Sequence, residues 1–428
     1  MKVLLVGGGG REHALAAALG ASPDVETLWA APGNPGIARH ARTVPISADA
    51  VDALLDLARR ERVDFTVVGP EAPLVAGLAD RFAAAGLLAL GPTAAAARLE
   101  GSKAFAKSLM ARYGIPTARF EAFDDPGAAR RYCRRVGAPL VVKADGLAGG
   151  KGALVCATRE EAEAAVGMLM EERAFGPAGA TVVIEEYLRG EEVSFFALAS
   201  GEEARALGAA ADHKAVFDGD RGPNTGGMGA YSPVPGFDAA LEERVMADIV
   251  RPTLAALAKE GAPYRGVLFV GLMLTAAGPR VLEYNCRFGD PECQVLVSRL
   301  AEDLLPLLMA AARGESLPAR VRWRAESAVC VNLVSGGYPG RYPTGLPIEG
   351  VERAEAVDGV RVFHAGTAER EGRLVTAGGR VLSVTATAPR LAEAVRRAYA
   401  AAACISFEGV HYRRDIARRA LERPEEGG

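Results

Sequence analysis

The first hundred residues alternate between short apolar runs and helical patterns, and this alternation restricts the fold more than any other feature of the chain. Lys2–Val6 reads as a buried strand, Gly7–Gly10 as a tight turn and Arg11–Leu19 as a helix. Glu26–Ala30, Asp64–Val68 and Leu87–Leu90 continue the strands, with helical patterns at Asp49–Arg60 and Ala76–Ala85 between them. Such alternation predicts a parallel sheet with helices on both faces. Ligands then sit beyond the carboxyl ends of the strands, where Gly7–Glu12 and Gly69-Pro70-Glu71 fall. The glycine turn is not a dinucleotide fingerprint, because the third position of Gly-x-Gly-x-x-Gly/Ala is Glu12 or His13. The second strand ends in Trp29-Ala30-Ala31-Pro32, with no acid for a ribose. A phosphate at this helix N-terminus and a purely structural turn stand as equal alternatives.

At 428 residues the chain predicts two to four domains, each with its own core. Half the residues are hydrophobic and the formal net charge is −3, a globular profile without the basic excess of a nucleic-acid binder. No apolar run reaches membrane-spanning length, and Met1–Gly7 lacks the h-region of a signal peptide. The six cysteines (133, 156, 286, 293, 330 and 404) form no Cys-x-x-Cys pair, so reduced thiols and a cytoplasmic location are expected. Cys286 and Cys293 are expected as packed thiols. Lysine occurs only at 2, 103, 107, 143, 151, 214 and 259, so that 43 of the 50 basic residues are arginine. Four of these lysines (103, 143, 151 and 214) fall in segments suited to phosphate, where arginine is not equivalent.

The most informative single stretch is Val281–Gln294. With Val281–Asn285 as a strand, Glu283, Asn285 and Arg287 share one face, and Leu282, Tyr284 and Cys286 the other. A carboxylate beside an amide oxygen is a hard-oxygen pair suited to Mg²⁺. An arginine two residues on can add its fork to a phosphate held by that ion. Phe288-Gly289-Asp290-Pro291 turns the chain into a helix expected to run from Pro291 to Arg313, with Glu292 acting on its dipole.

Other segments supply the second half of a nucleotide site. Pro92 and Gly101 bracket a connecting segment, Thr93–Glu100, and Ser102 caps a helix through Arg112 that Tyr113-Gly114-Ile115-Pro116 stops. A compact α+β unit follows: strand near Ala118–Glu121, helix Pro126–Val136, strand Leu140–Lys143, strand Ala153–Val155, helix Arg159–Arg173 and strand Thr181–Glu185. Its loop Asp145-Gly146-Leu147-Ala148-Gly149-Gly150-Lys151-Gly152 is no P-loop, since Gly152 replaces the Ser or Thr after lysine. Backbone N–H groups of such a loop can still cover phosphates. Strand Val193–Ala199 precedes Asp212-His213-Lys214 and the segment Gly222–Gly229, too long and loose for a turn and expected as a functional loop. Among the histidines (13, 40, 213, 364 and 411) only His213 invites a functional role, against a packing one. Helix Phe237–Lys259 and strands Gly266–Thr275 and Pro279–Tyr284 follow. Beyond Leu317-Pro318 the chain is β-rich: Ser327–Val334, Val360–Ala365, Arg373–Thr376 and Arg380–Ala386, with helix Pro389–Ala403. Ser335–Gly340 is a turn signal, and the Pro-Glu-Glu-Gly-Gly tail is expected to fray.

Taken together, Lys103, Lys143 with its glycine loop, Glu185–Glu192 and Glu283-x-Asn285-x-Arg287 resemble the ATP-grasp ligases in order and spacing. The match is closer in Gly9–Ala14, Val68–Leu74, Asn224–Pro233 and Arg287–Glu292, which look like the phosphoribosylamine–glycine ligases (glycinamide ribonucleotide synthetases) of purine biosynthesis. The resemblance covers essentially the whole chain. It implies an α/β and α+β multidomain architecture. Its parts would be an N-terminal parallel-sheet substrate domain (1–100), an ATP-grasp domain (101–316) with a small lid subdomain at about 117–188, and a β-rich C-terminal domain (317–428).

By position, Lys103 and Lys143 would hold the ATP phosphates under a flap at Gly146–Gly152 carrying Gly149, Gly150 and Lys151. Glu185, Glu186 and Leu188 would lie at adenine and Glu192 at the ribose. Glu283 and Asn285 would ligate Mg²⁺ or Mn²⁺. Gly9, Gly10 and Glu71 would face the phosphoribosyl substrate. Asn224, Gly226 and Gly227 would line the acceptor side, with Arg287, Lys214 and Asp212 serving catalysis. Gly271 stands where many such enzymes carry a second metal carboxylate.

The implied reaction joins glycine to 5-phosphoribosylamine through a glycyl phosphate, with ATP as co-substrate, in a monomer that binds neither nucleic acid nor membrane. In-line phosphoryl transfer needs positioning and charge neutralisation rather than a nucleophilic side chain, and no Ser-His-Asp or Cys-His arrangement is evident. Two alternatives stand beside it. One is an ATP-grasp purine enzyme using a formyl or carboxylate donor; the other is a nucleotide sensor or dinucleotide oxidoreductase built on Gly7–Gly10.

Overall fold

Lys2–Gly7 is apolar on alternate residues of both faces because both faces are covered. Val3 and Leu5 pack with Leu15 and Leu19, whereas Leu4 and Val6 pack with Leu54, Leu57, Leu74 and Phe82. The computed structural model describes residues 1–422; the tail expected to fray lies outside the described residues. The N-terminal sheet is parallel throughout, in the order Arg42–Thr43, Thr27–Pro32, Lys2–Gly7, Phe65–Val68, Ala89–Leu90. The two-residue strand Arg42–Thr43 is an addition to the sequence expectation, too short to show a period. A second departure matters more for the site. Thr93–Glu100 is not a mere connection: Ala94–Gly101 is a helix, capped by Thr93 Oγ1 accepting from Ala96 N at 3.4 Å.

The following helix, Lys103–Tyr113, is capped as expected, with Ser102 Oγ accepting from Phe105 N at 3.1 Å. The subdomain expected as a lid contains a four-stranded antiparallel sheet in the order Phe120–Phe123, Val182–Glu186, Leu140–Ala144, Ala153–Cys156. Helices Pro126–Val136 and Arg159–Val166 close it over its own core of Cys133, Val142, Val166 and Ile184.

An eight-stranded antiparallel sheet forms the body of the molecule. Its order is Gly278–Asn285, Arg265–Thr275, Glu191–Ser200, Glu203–Asp212, Gly229–Ser232, Ser327–Val334, Arg380–Ala388, Val360–His364. Glu203–Asp212 escaped the sequence analysis because its five alanines carry little strand signal. Part of the supposed loose loop is a ribbon, Ala215–Phe217 against Arg221–Asn224. Gly229–Ser232 pairs with Ser327–Val334, so main-chain hydrogen bonds carry the sheet from the core into the C-terminal segment.

The helix expected over Pro291–Arg313 is two, Glu292–Arg299 and Leu304–Arg313. Leu300 is extended and bridges to Trp323, and Asp303 restarts the helix by accepting from Leu305 N at 3.0 Å. The pattern over Phe237–Lys259 contains a π turn at Met246–Val250, just before Pro252, which has no N–H to give a regular ladder. Among the described residues no helix is long and apolar enough to cross a membrane. All six cysteines are free, and Cys286 and Cys293 are buried in the core.

Candidate active site

The strand Gly278–Asn285 carries the centre of the site, and a β-bulge sets its aim. Gly271 opposes Glu283 while Leu272 opposes Val281, so Leu282 is the extra residue. Its side chain therefore turns into the cleft instead of joining Tyr284 and Cys286 in the core, correcting the strict alternation expected from sequence. The Leu282 carbonyl is freed and accepts from Lys143 Nζ at 3.0 Å. Glu283 and Asn285 line a cavity of about 420 Å³ between the lid and the large sheet. That volume suits a small ligand held on several sides. Gly271 lies directly across from Glu283, and a side chain there would begin 3.3 Å from Glu283 Cγ.

Lysines approach from the lid side. Lys143 and Lys107 flank Glu185, at 2.9 and 2.8 Å, and Lys107 and Glu185 are each 2 % exposed. Glu185, expected against ATP, is thus the anion that fixes two lysines. Burial lowers Lys107 to about 8 although Glu185 opposes the shift. Lys103 starts its helix on the cleft wall, with Nζ 3.5 Å from the flap carbonyl of Gly146. Burial pushes the Glu283 carboxyl up, but Lys214, Lys103, Lys143 and Arg287 together hold it below the usual range.

Gly149 and Gly150 have φ of +57° and +75° and line the cleft; a side chain at Gly150 would begin 3.5 Å from Thr225 O. Lys151 does not line it. Its Nζ donates instead to Pro339 O at 3.0 Å. In this arrangement the ammonium expected against ATP is engaged by the 338–339 turn. Glu186 lines the cleft while its carboxylate accepts from Arg119 Nε at 2.7 Å, and Leu188 adds to the wall beside it.

Glu192 accepts from Lys214 Nζ at 2.7 Å on the floor. Glu192, Asp212 and Glu283 hold Lys214 well above its ordinary value despite burial. Desolvation raises Asp212 to about 7 against the pull of Lys214, with Glu292, Glu192 and Glu283 adding to the rise. His213, between these two residues, points away: it packs against Tyr231, and Nε2 accepts from Ala417 N at 3.4 Å. Packing is its observed role.

The far end is an ion network. Arg287 does not hold its fork free for a phosphate. Its Nε lies 3.1 Å from Glu71 Oε2 and its Nη2 3.0 Å from Glu100 Oε1, while Nη1 donates to Phe288 O. Asn224 and Gly226 line the cleft, but Gly227 does not: with φ +115° it lies under Pro291, whose Cδ would be 2.5 Å from a Cβ there. Gly9 and Gly10 also lie outside the wall, at the start of the first helix. Gly9 N donates to Glu12 Oε2 at 2.6 Å, and a Cβ on Gly10 would meet Gln294 Nε2 at 2.8 Å. Of these three, Gly227 is the one that combines a tight contact with a positive φ.

Residues 1–100 match the phosphoribosylglycinamide synthetase N domain, residues 101–293 its ATP-grasp (A) domain and residues 328–419 its C domain. The chain belongs to the phosphoribosylglycinamide synthetase family. It is 53% identical over 423 residues to the phosphoribosylamine–glycine ligase of Agrobacterium fabrum, with 99% of each chain covered. With the Escherichia coli O6:H1 protein of that name it shares 50% identity over 430 residues, covering 99% of this chain and all of the relative. The crystal structure of phosphoribosylamine–glycine ligase from Thermotoga maritima superposes with a TM-score of 0.85 at 36% identity, covering 97% of this chain and 100% of that one. The biotin carboxylase of Campylobacter jejuni shares the fold at a TM-score of 0.76 and 16% identity, covering 99% and 95%.

Within this family member, sequence reasoning missed Arg11, Glu100, Lys107, Glu292 and Arg380 as parts of the cleft wall. Lys107 follows Lys103 by one helical turn, a signal that could have been used. Glu292 is in the first turn of its helix, as expected, but it is also 3% exposed and accepts from Ser194 Oγ at 2.9 Å. Arg380 reaches in from the C-terminal segment, donating to Gly226 O at 2.6 Å and Asp290 Oδ2 at 2.8 Å, and no local pattern marks it.

Proposed function

We propose that the chain is an ATP-dependent, ADP-forming ligase that joins glycine to 5-phosphoribosylamine, giving glycinamide ribonucleotide and phosphate through a glycyl phosphate. The observation that supports this most is the bulged strand presenting Glu283 and Asn285 opposite Lys103 and Lys143, under a glycine flap. Lys103 and Lys143 bind and orient the phosphates of ATP, with Lys143 preset by Glu185 and the Leu282 carbonyl. Apolar side chains such as Met110, Val141, Leu188 and Met273 offer walls for adenine, and Glu192 a carboxylate for the ribose.

Glu283 and Asn285 fit Mg²⁺ or Mn²⁺, since both offer hard oxygens and the surrounding cations keep Glu283 ionised. A divalent ion supplies charge neutralisation for the phosphates when bound there. A glycine carboxylate oxygen attacks the γ-phosphorus and the bond to the β-phosphate oxygen breaks, releasing ADP. The amine nitrogen of phosphoribosylamine then attacks the acyl carbon and phosphate leaves. Asp212, raised to about 7, takes the proton that the amine loses, and Lys214 balances the charge left in the recess. Glu71, held by Arg287, faces the phosphoribosyl hydroxyls. The division we propose is a substrate domain at 1–100, the ATP-grasp domain at 101–316 and a C-terminal domain from 317. We place the enzyme in the cytoplasm as a monomer acting on small molecules.

The test is ADP release with glycine and phosphoribosylamine supplied separately and together. Release that needs both, with stoichiometric glycinamide ribonucleotide, is expected. Release with formate or bicarbonate in place of glycine overturns the assignment.

A further inference from the structure

The turn Ser335–Gly340 has no part in the chemistry above, yet it touches both the flap and the loop at Gly226. Ser335 N donates to Gly379 O at 2.8 Å and Ser335 Oγ to Gly378 O at 2.8 Å, anchoring the turn on the C-terminal segment. The Tyr338 ring lies on Gly379, where a Cβ would fall 2.3 Å from Tyr338 Cδ2. From that seat its hydroxyl accepts from Gly226 N at 3.2 Å, in the loop on the acceptor side. The next residue, Pro339, gives its carbonyl to Lys151 Nζ of the flap at 3.0 Å, and that ammonium also lies 5.8 Å from the Tyr338 ring centroid. Gly226 is held from its other side as well, by Arg380 Nη1 at 2.6 Å, which in turn holds Asp290. A short chain of contacts therefore runs from the flap, through the 338–339 turn, to the acceptor loop.

We propose that Tyr338 is a positioning residue that latches the flap to the acceptor loop, keeping the cleft shut between the two half-reactions. The inference rests on the two-step ligase reading, because only an activated intermediate needs such protection. Water entering early would attack the acyl carbon of glycyl phosphate. The carbon–oxygen bond to phosphate would break, phosphate would leave with the bonding pair, and glycine carboxylate would be regenerated as protons pass to solvent. The net result is ATP hydrolysed without product. A glycine-rich hairpin with φ above zero at Gly149 and Gly150 has little stiffness of its own. Lys151 is thus explained: its charge serves closure rather than the phosphates.

The experiment measures ADP formed per glycinamide ribonucleotide in the wild type, Tyr338→Phe, Lys151→Met and the double variant. Tyr338→Phe keeps the ring on Gly379 and removes only the acceptor of the Gly226 N–H. Each single variant should raise the leak relative to product by about fivefold, the size expected for one lost hydrogen bond. The double variant should leak no more than the worse single one, since both act on one latch. Thermolysin cleavage within residues 146–152, followed with a non-hydrolysable ATP analogue bound, should quicken in Lys151→Met. Unchanged cleavage with one ADP per product in every variant overturns the latch, and so does a lowered Tm with that stoichiometry intact. A wild type that releases no ADP with glycine and phosphoribosylamine overturns the ligase assignment instead; the cleavage rates then judge the contact between flap and turn by themselves.

Discussion

Arg287 bridges two carboxylates in unequal surroundings, and their opposite titration can be measured without any substrate. The Glu71 side chain is 24% exposed and the Glu100 side chain 6%. Burial raises both. For Glu71 the guanidinium groups of Arg287 and Arg11 more than offset it and bring the carboxyl to about 2. For Glu100 desolvation outweighs Arg287, and with the neighbouring Glu71 charge it leaves the carboxyl at about 7. The folded value of Glu71 lies below the ordinary 4.5, so its stabilisation is full above pH 4.5 and is lost as pH falls through 2. Glu100 has the reverse sign: the folded state holds its proton more tightly, so its contribution is full below pH 4.5 and is lost as pH rises through 7. Each displacement corresponds to about 3 kcal/mol. Glu100→Gln keeps an oxygen that can accept from Cys286 N but cannot ionise. The stability of the wild type relative to Glu100→Gln should therefore fall by about 3 kcal/mol between pH 4.5 and 7.5. Urea unfolding of both proteins at half-unit pH steps measures this directly. Because Glu71 raises Glu100, the drop in a Glu71→Gln background should move to lower pH. A difference that is flat, or that grows with pH, would refute the unequal sharing of Arg287.

Glu283→Gln should lower kcat by roughly two orders of magnitude or more, the size of one strong electrostatic contact in a dry site, with partial recovery as free Mg²⁺ is raised and a milder loss for Asn285→Asp. Steady-state rates across a Mg²⁺ series check it, and near-normal turnover of Glu283→Gln at low Mg²⁺ would falsify the metal role. Gly150→Val places a β-branched residue at φ +75° and should weaken ATP-analogue binding by calorimetry while leaving Tm nearly unchanged. Lys107→Met removes one of two cations from a buried carboxylate and should cost about 3 kcal/mol in denaturant unfolding, because Glu185 stays in place with a partner missing.

Most of the architecture was legible because it rests on local period. The alternation over residues 1–100, the cap at Ser102 and the stop at Gly114 all act within a few residues of where they are written. What was missed followed weak or non-local signals. Glu203–Asp212 is a strand because its neighbours on both sides pair with it, not because alanine favours extension. The break at Leu300 comes from a bridge to Trp323, twenty-three residues on. The site divides in the same way. Glu283, Asn285, Lys103 and Lys143, which line the cleft, are legible because each sits in a motif with its own backbone geometry. Leu282 was put on the wrong face because a bulge is set by the partner strand. Glu100 and Arg380 were invisible because their tasks are defined by residues 187 and 154 positions away.

The stretch from Arg287 to Glu292 joins parts of the chain that are distant in sequence. Arg287 ties to Glu71, which opens the helix Glu71–Val75 after the strand Phe65–Val68, and to Glu100 on the helix Ala94–Gly101. The Phe288 carbonyl accepts from Arg11 Nη1 at 3.1 Å, and the Phe288 ring stacks on Phe196 of the large sheet. Asp290 accepts from Arg380 of the C-terminal segment and from Gln294. Glu292 takes the hydroxyl of Ser194 from the central strand. Every polar residue of the stretch thus has a partner in a different part of the fold, and most of these partners are buried. A conservative change such as Asp290→Asn would leave Arg380, which also holds Gly226 O, without its anion. Its effect should appear first in the acceptor half-reaction, as a raised KM for phosphoribosylamine with ATP binding spared. The same change in an isolated surface turn would cost almost nothing. The stretch is distinctive because three segments must agree on it at once, and a ligand contact alone would not require six consecutive residues.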